Sequence, residues 1–336
     1  MRVNKFFLLF TIIAVLVMTL TGCSTQPKLI KLNYIETVRS IFYAPVYVAI
    51  NKGFFKDEGL DINLTTAQGS DKAMTAILSG TADFGMQGPE TTVYVYNQGR
   101  EDYTVNFAQV TKKDGSFLVG RSAEPDFKWE NLKGKTIIGG RPGGMPEMVL
   151  EWVLKDHGLA PGKDVNVITN LQFTATAGAF QSQPDVDYVA LFEPTGSIME
   201  KTGEGKIVAS LGEAGGEVPY TTFAAKKSFI KKNPETVQKI TNALYKGQLW
   251  VKDHSSKEIA EAISSFFPDA DPKLTETVVN RYKDQESWTY TPAVSEEGLD
   301  HLQNFIRSAG ELKNGKIESA KIIDNTFADK AVELVK

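Results

Sequence analysis

The 336 residues carry 37 Lys and Arg against 41 Asp and Glu, a formal net charge of −4, and 42% are hydrophobic. This is the make-up of an ordinary globular chain, long enough for two lobes that each bury a core. No basic stretch is dense enough to point to nucleic acid, and the single cysteine excludes an internal disulfide.

The chain opens on a leader. Arg2 and Lys5 precede an apolar run from Phe6 to Leu16, extended to Leu20, and Leu20-Thr21-Gly22-Cys23 follows. A charged start, a short apolar core and small residues before a cut describe a secretory signal, and the run is short for a membrane span. Residues 1–22 are therefore expected to be removed. The box ending at Cys23 resembles that of bacterial lipoproteins, which implies a lipidated Cys23, a tether over 23–28 and an anchor on the extracytoplasmic face of the cell membrane.

From Leu29 to Ile35 apolar and polar residues alternate, as in a half-buried strand. Glu36 to Ser40 breaks the alternation. Pro45 suits a first helical turn, Val46 to Ile50 continues a short apolar helix, and Gly53 ends it. After one more turn closed by Gly59, Leu60, Ile62 and Leu64 alternate in a second strand. Ser70 or Asp71 caps a helix over Lys72–Ser79 that Gly80 ends. Ala82 to Met86 reads as a strand, Pro89 starts another helix, and Tyr103 to Val110 is a further strand. A turn at Lys112–Gly115 leads into an extended Phe117–Gly120.

The second half repeats the alternation of strands and helices. Trp129 to Ile137 leads into a strand. Gly139-Gly140-Arg141-Pro142-Gly143-Gly144 lacks the Gly-Lys-Ser/Thr of a P-loop. A helix from Glu147 to His157, a strand over Val165–Ile168, a small-residue helix over Phe173–Gln181 and an apolar strand over Val186–Phe192 follow. Val218 to Ala224 carries the chain back. A long amphipathic helix runs from Glu235 to about Lys252, and two or three helices fill the remainder.

Three passages carry a resemblance: YAPVYVAINKGFFKDEGLDI from Tyr43, GTADFGMQGPE from Gly80, and NPETVQKITNALYKG from Asn233. They resemble the solute-binding proteins of ABC importers for nitrate, sulfonate, taurine and thiamin-precursor pyrimidines (the NMT1/THI5-like family). The stretch from Trp129 to Ile137 is similar to that family's entry into its second lobe.

The resemblance implies an α/β, two-lobe periplasmic-binding-protein fold of type II, each lobe a mostly parallel sheet flanked by helices, joined by two crossover strands. Lobe one is expected over 29–118 plus 223–336 and lobe two over 119–222. Hinge rotation would be absorbed near Phe117–Arg121 and Val218–Phe223. The partners implied are a small-molecule solute, a permease and an ATPase. A monomer without cofactor or catalysis is expected.

Ligands of α/β sheets bind at the carboxyl ends of strands. That rule gathers Arg39, Tyr43, Gln68, Ser70, Gln87, Gly88, Gly143, Met145, Thr174 and Glu193, with Trp288 added as an aromatic platform. Helix starts offer unpaired N–H groups to an anion. Arg39 either pairs with an anion or stays a solvated loop charge, and Tyr43 and Trp288 either stack on a flat ligand or belong to the core. Glu193 either faces the cleft, favouring an amino or amidine group, or caps the helix after Pro194. The expected solute is a sulfonate-, nitrate- or taurine-like anion; the alternative is an amino-pyrimidine thiamin precursor paired with Glu193. A pyrimidine-synthesis enzyme on the same fold would use a cysteine-rich iron motif, whereas only Cys23 is present here; a ligand-sensing lipoprotein is a third reading. His157, His254 and His301 are far apart, and no Cys or His cluster has metal-ligand spacing.

Overall fold

The computed structural model describes residues 28–312 and 315–335. The expected signal peptide and Cys23 lie outside the described residues. Among those described, no helix is long and apolar enough to cross a membrane.

Ten strands form two five-stranded sheets among the described residues. They are β1 (Ile30–Glu36), β2 (Leu60–Thr66), β3 (Phe84–Gln87), β4 (Thr104–Thr111), β5 (Ser116–Gly120), β6 (Thr136–Ile138), β7 (Asn166–Ile168), β8 (Tyr188–Phe192), β9 (Lys206–Ser210) and β10 (Thr221–Lys226). The first sheet has the order β2-β1-β3-β10-β4 and the second β7-β6-β8-β5-β9. In the first, β2, β1 and β3 are parallel and β10 runs against both β3 and β4. The second repeats this with β5 running against β8 and β9.

The antiparallel strand of each sheet is the one arriving from the other sheet, and the direction is forced. β4 ends at the edge that faces the second sheet, so β5 must start at that edge and run away from it. The same holds for the return through β10. The chain thus changes sheet between Thr111 and Ser116, and again between Ser210 and Thr221. The expected breaks at 118/119 and 222/223 fall inside β5 and β10, because pairing with the new sheet has already begun at Ser116 and Thr221.

The two crossing segments run side by side. Val218 N donates to Lys112 O (3.0 Å) and Tyr220 N to Thr111 O (3.1 Å). Helix Pro272–Asp284 rests on them: Tyr282 Oη donates to Gly115 O (3.0 Å), and Gln285, just past its end, donates to Asp114 O (2.7 Å).

The first sheet is held by a stack of aromatics from adjacent strands. Tyr34 of β1 lies 4.8 Å from Phe84 of β3, and Phe223 of β10 packs edge-on at 5.5 Å. Such pairs add about 0.5–1.5 kcal/mol beyond their burial. β4, β5 and β8 are buried along their whole length, as strands covered on both faces are.

Helix Pro234–Asp253 crosses helix Ala44–Asn51 at Gly247, where an added Cβ would lie 2.3 Å from Pro45 O. The remainder of the chain differs from expectation in number. Among the described residues, five α-helices and a 3-10 segment follow Asp253, from Ser256–Ile263 to Thr326–Leu334, in place of two or three helices. The edge strand β9 also had no expectation, whereas the helix expected after Pro194 is Thr195–Thr202. β9 is partly buried at every position, so it shows no alternation to read.

Candidate functional site

The carboxyl ends of β1, β2, β3, β6, β7 and β8 meet around one cavity of about 380 Å³. From the first sheet it is lined by Thr37, Val38, Tyr43, residues 68–72, Gly88 and Glu90, and from the second by Gly140, Arg141, Gly144–Pro146, Gln172, Thr174 and Phe192. Tyr220 and Thr221 close it from the return crossing. A larger depression of about 650 Å³ lies beside the N-terminal end of β4, between Tyr103, Lys227 and Asp324. Its walls come from the first sheet's side alone, whereas the smaller cavity has walls from both halves and lies where sheet topology places ligands.

Local chemistry fixes the first-sheet loops to one another. Gly69 N donates to Thr37 O (2.8 Å), Thr37 Oγ1 to Met86 O (2.7 Å), and Gly88 N to Ser70 Oγ (3.1 Å). Gln68 adopts φ 61°, a left-handed conformation that a non-glycine residue takes at a cost of about 1–3 kcal/mol. Opposite them, Gly144 caps helix Met145–Asp156, with Pro146 in its first turn. Helices Ser70–Ser79 and Glu90–Asn97 begin at the same cavity.

Six of the residues read from the sequence come together on this wall: Tyr43, Gln68, Ser70, Gly88, Met145 and Thr174. Five stand elsewhere. Arg39 donates to Glu36 (2.6 Å) and lies over the rings of Tyr47 and Phe266. The Gln87 side chain is buried against Thr92. The Gly143 carbonyl accepts from Tyr94 Oη (3.0 Å). Trp288 is core: its Nε1 donates to Phe42 O (2.7 Å) behind the wall.

Of the two readings of Glu193, the structure takes the helix cap. Glu193 does not offer its carboxylate to the cavity. Its two oxygens accept from Ser197 N (2.8 Å) and Ser197 Oγ (2.7 Å), and Oε1 also accepts from Arg281. The residue caps helix Thr195–Thr202 and neutralises a cation of helix Pro272–Asp284. Its valences are filled by the protein.

Two carboxylates belong to lining residues, the exposed Asp71 and the buried Glu90, and sequence reasoning singled out neither as a ligand group. Glu90 is 1% exposed. Its carboxyl folds back over Gly88, where an added Cβ would meet Oε2 at 2.0 Å, and Oε2 has no hydrogen-bond partner among the described residues. Burial pushes its pKa up to about 7, partly offset by the charge of Arg141. The Gly-Pro-Glu order, which only a glycine permits beneath that carboxyl, was the available signal. Arg141 itself pairs across the cavity mouth with Asp71 at 3.5 Å, joining the two halves. Three aromatic residues, Tyr43, Phe192 and Tyr220, make the rest of the floor apolar; each is under 10% exposed.

The model of the NMT1/THI5-like family matches residues 41–257. "Putative binding protein YtlA" of Bacillus subtilis (strain 168) is 47% identical over 315 residues, covering 94% of this chain and 94% of that protein. Among solved structures, the nitrate-binding protein NrtA from Synechocystis PCC 6803 superposes with a TM-score of 0.72 at 16% identity, covering 92% of this chain and 90% of that one. The alkanesulfonate-binding protein SsuA from Xanthomonas axonopodis pv. citri, solved with MOPS, gives 0.70 at 16% identity, covering 88% and 98%. The architecture of two five-stranded mixed sheets is that of the type II periplasmic-binding-protein fold.

Proposed function

The chain belongs to the NMT1/THI5-like family, and from that premise we propose that it is the extracytoplasmic solute-binding protein of an ABC importer. It captures one compact solute and presents it to a permease and its ATPase. The observation that carries the reading is the cavity between the two sheets, with walls from both halves and two adjacent crossing segments behind it. A solute that touches both walls stabilises the closed arrangement, because its contacts are complete only there. The lobes that rotate are taken as roughly 29–118 with 223–336, and 119–222, the exact ends shifted to the segments 112–115 and 211–220 where the chain changes sheet. The protein acts as a monomer and turns nothing over.

The test combines calorimetry with solution scattering on purified protein and candidate nitrogen- and sulfur-source compounds. One compound should bind at a stoichiometry of one and shrink the radius of gyration. Binding with no contraction would remove hinge closure, and conversion of the compound would replace the binder with an enzyme.

Anchoring through Cys23 completes the proposal. It rests on the charged start, apolar run and Leu-Thr-Gly-Cys box. Cys23→Ala should leave the protein in the culture fluid or periplasm; unchanged membrane retention of a cleaved Cys23→Ala protein would refute the lipid anchor.

A further inference from the structure

The cavity wall contains a polar atom that the protein itself leaves unserved. Glu90 Oε2 is buried, belongs to a lining residue, and has no hydrogen-bond partner among the described residues, whereas the neighbouring Tyr220 hydroxyl is engaged by the buried Asp114 carboxylate. A buried acceptor without a donor is costly, and buried polar groups in native proteins are almost always paired. Elsewhere at the same edge the protein takes care of its carboxylates. Glu193 has Ser197 and Arg281, and Glu36 has Arg39, Tyr47 and Thr66. Glu90 is treated differently. Arg141, on the opposite wall, is paired with Asp71.

We propose that Glu90 selects the solute by accepting a hydrogen bond from an N–H donor on it, so that the molecule carried is an amino- or amidine-bearing compound with a flat or apolar body, and not a simple anion. In its ionised form the carboxylate would repel a sulfonate or nitrate, whereas an amino group fills the vacant acceptor and, if charged, draws Glu90 back to its ionised form. The body of the solute lies against Tyr43, Phe192 and Tyr220. Helix starts at Ser70 and Met145 still offer N–H groups to a polar or anionic far end, which admits amino acids and aminosulfonates and does not require them. The assignment rests on the solute-binding reading above and narrows its chemistry.

The experiment screens wild type, Glu90→Gln and Glu90→Asp by thermal shift and then calorimetry. The probes are matched pairs differing by one amino group: taurine with ethanesulfonate, and 4-amino-5-hydroxymethyl-2-methylpyrimidine with its des-amino counterpart, set in a wider panel of small amines, amidines and sulfonates. Hits should fall among amino- or amidine-bearing members, and each should bind about ten-fold or more weakly to Glu90→Gln. Glu90→Asp keeps the acceptor but withdraws it, and should fall between. Circular dichroism confirms that each variant is folded. An amino-free anion that binds wild type as well as its amino partner, and Glu90→Gln equally or more tightly, overturns this inference and leaves the importer reading standing. If no compound binds wild type, the solute-binding reading fails and this one falls with it.

Discussion

Glu90 makes stability depend on pH with a definite sign. Its pKa rises from 4.5 unfolded to about 7 folded, mainly through burial, so between those values the folded state holds a proton that the unfolded state has released. Stability is then greatest below the unfolded value and is lost as pH rises towards the folded one. The charges facing it are Arg141, which opposes the shift, and Asp71, which adds to it. The gap corresponds to a ceiling of about 3 kcal/mol. Asp114, raised to about 6 by burial, and Glu147, raised to about 7 by burial and then by Glu151, slope the same way. Ligand-free Glu90→Gln should therefore melt close to wild type at pH 5 and above it at pH 8, with part of the slope remaining. Parallel melting curves across that range would mean that Glu90 ionises as an ordinary carboxylate.

At the scale of the element, two principles compete at Gly247 in the long helix Pro234–Asp253. Propensity alone favours alanine over glycine in mid-helix by about 1 kcal/mol. Packing opposes it: the new methyl would lie 2.3 Å from the Pro45 carbonyl oxygen and 2.9 Å from Ala49 Cβ. The first of these is backbone of helix Ala44–Asn51 and has no rotamer to retreat into, so the helices must separate. Overpacking of this kind costs about 1–3 kcal/mol, which exceeds the propensity gain. Gly247→Ala should lower the midpoint of urea unfolding. A raised midpoint would show that the two helices slide apart without loss.

Across the whole molecule, the halves are joined by several polar contacts, among them Ser40 Oγ to Glu193 O (3.0 Å) and Arg281 to Glu193 and Glu200. Tyr94 Oη donates to Gly143 O (3.0 Å), Lys155 Nζ to Ser308 O (2.9 Å), and Asp71 faces Arg141. Asp71 is over half exposed in that pair, so the ion pair contributes little. The Tyr94 bond is better protected, and Tyr94 is not a lining residue of the cavity. Tyr94→Phe deletes one hydrogen bond of about 0.5–1.5 kcal/mol from the closed arrangement alone. Solute affinity should fall by about two- to ten-fold, and the contraction on binding should need more solute, although no solute contact is lost. Unchanged affinity and scattering would mean that closure does not depend on this edge.

The order of strands and helices was legible in the chain because each is a local pattern. The alternation over 29–35 became β1, the apolar run over 186–192 became β8, and Pro45, Pro89 and Gly144 lie at or just before helix starts, as such residues do. The rule of carboxyl strand ends then gathered Tyr43, Gln68, Ser70, Gly88, Met145 and Thr174 without any coordinates. Which carboxylate is left free was not written locally. Glu193 and Glu90 both follow a buried strand and both stand at a helix start. Glu193 is silenced by Arg281, 88 residues later, and Glu90 is left without a partner for its Oε2. Trp288 likewise became core through Phe42, 246 residues away. Periodicity is set by neighbours three or four residues apart, whereas the pairing of a charge is set by whatever the tertiary fold brings to it, and that only the assembled structure decided.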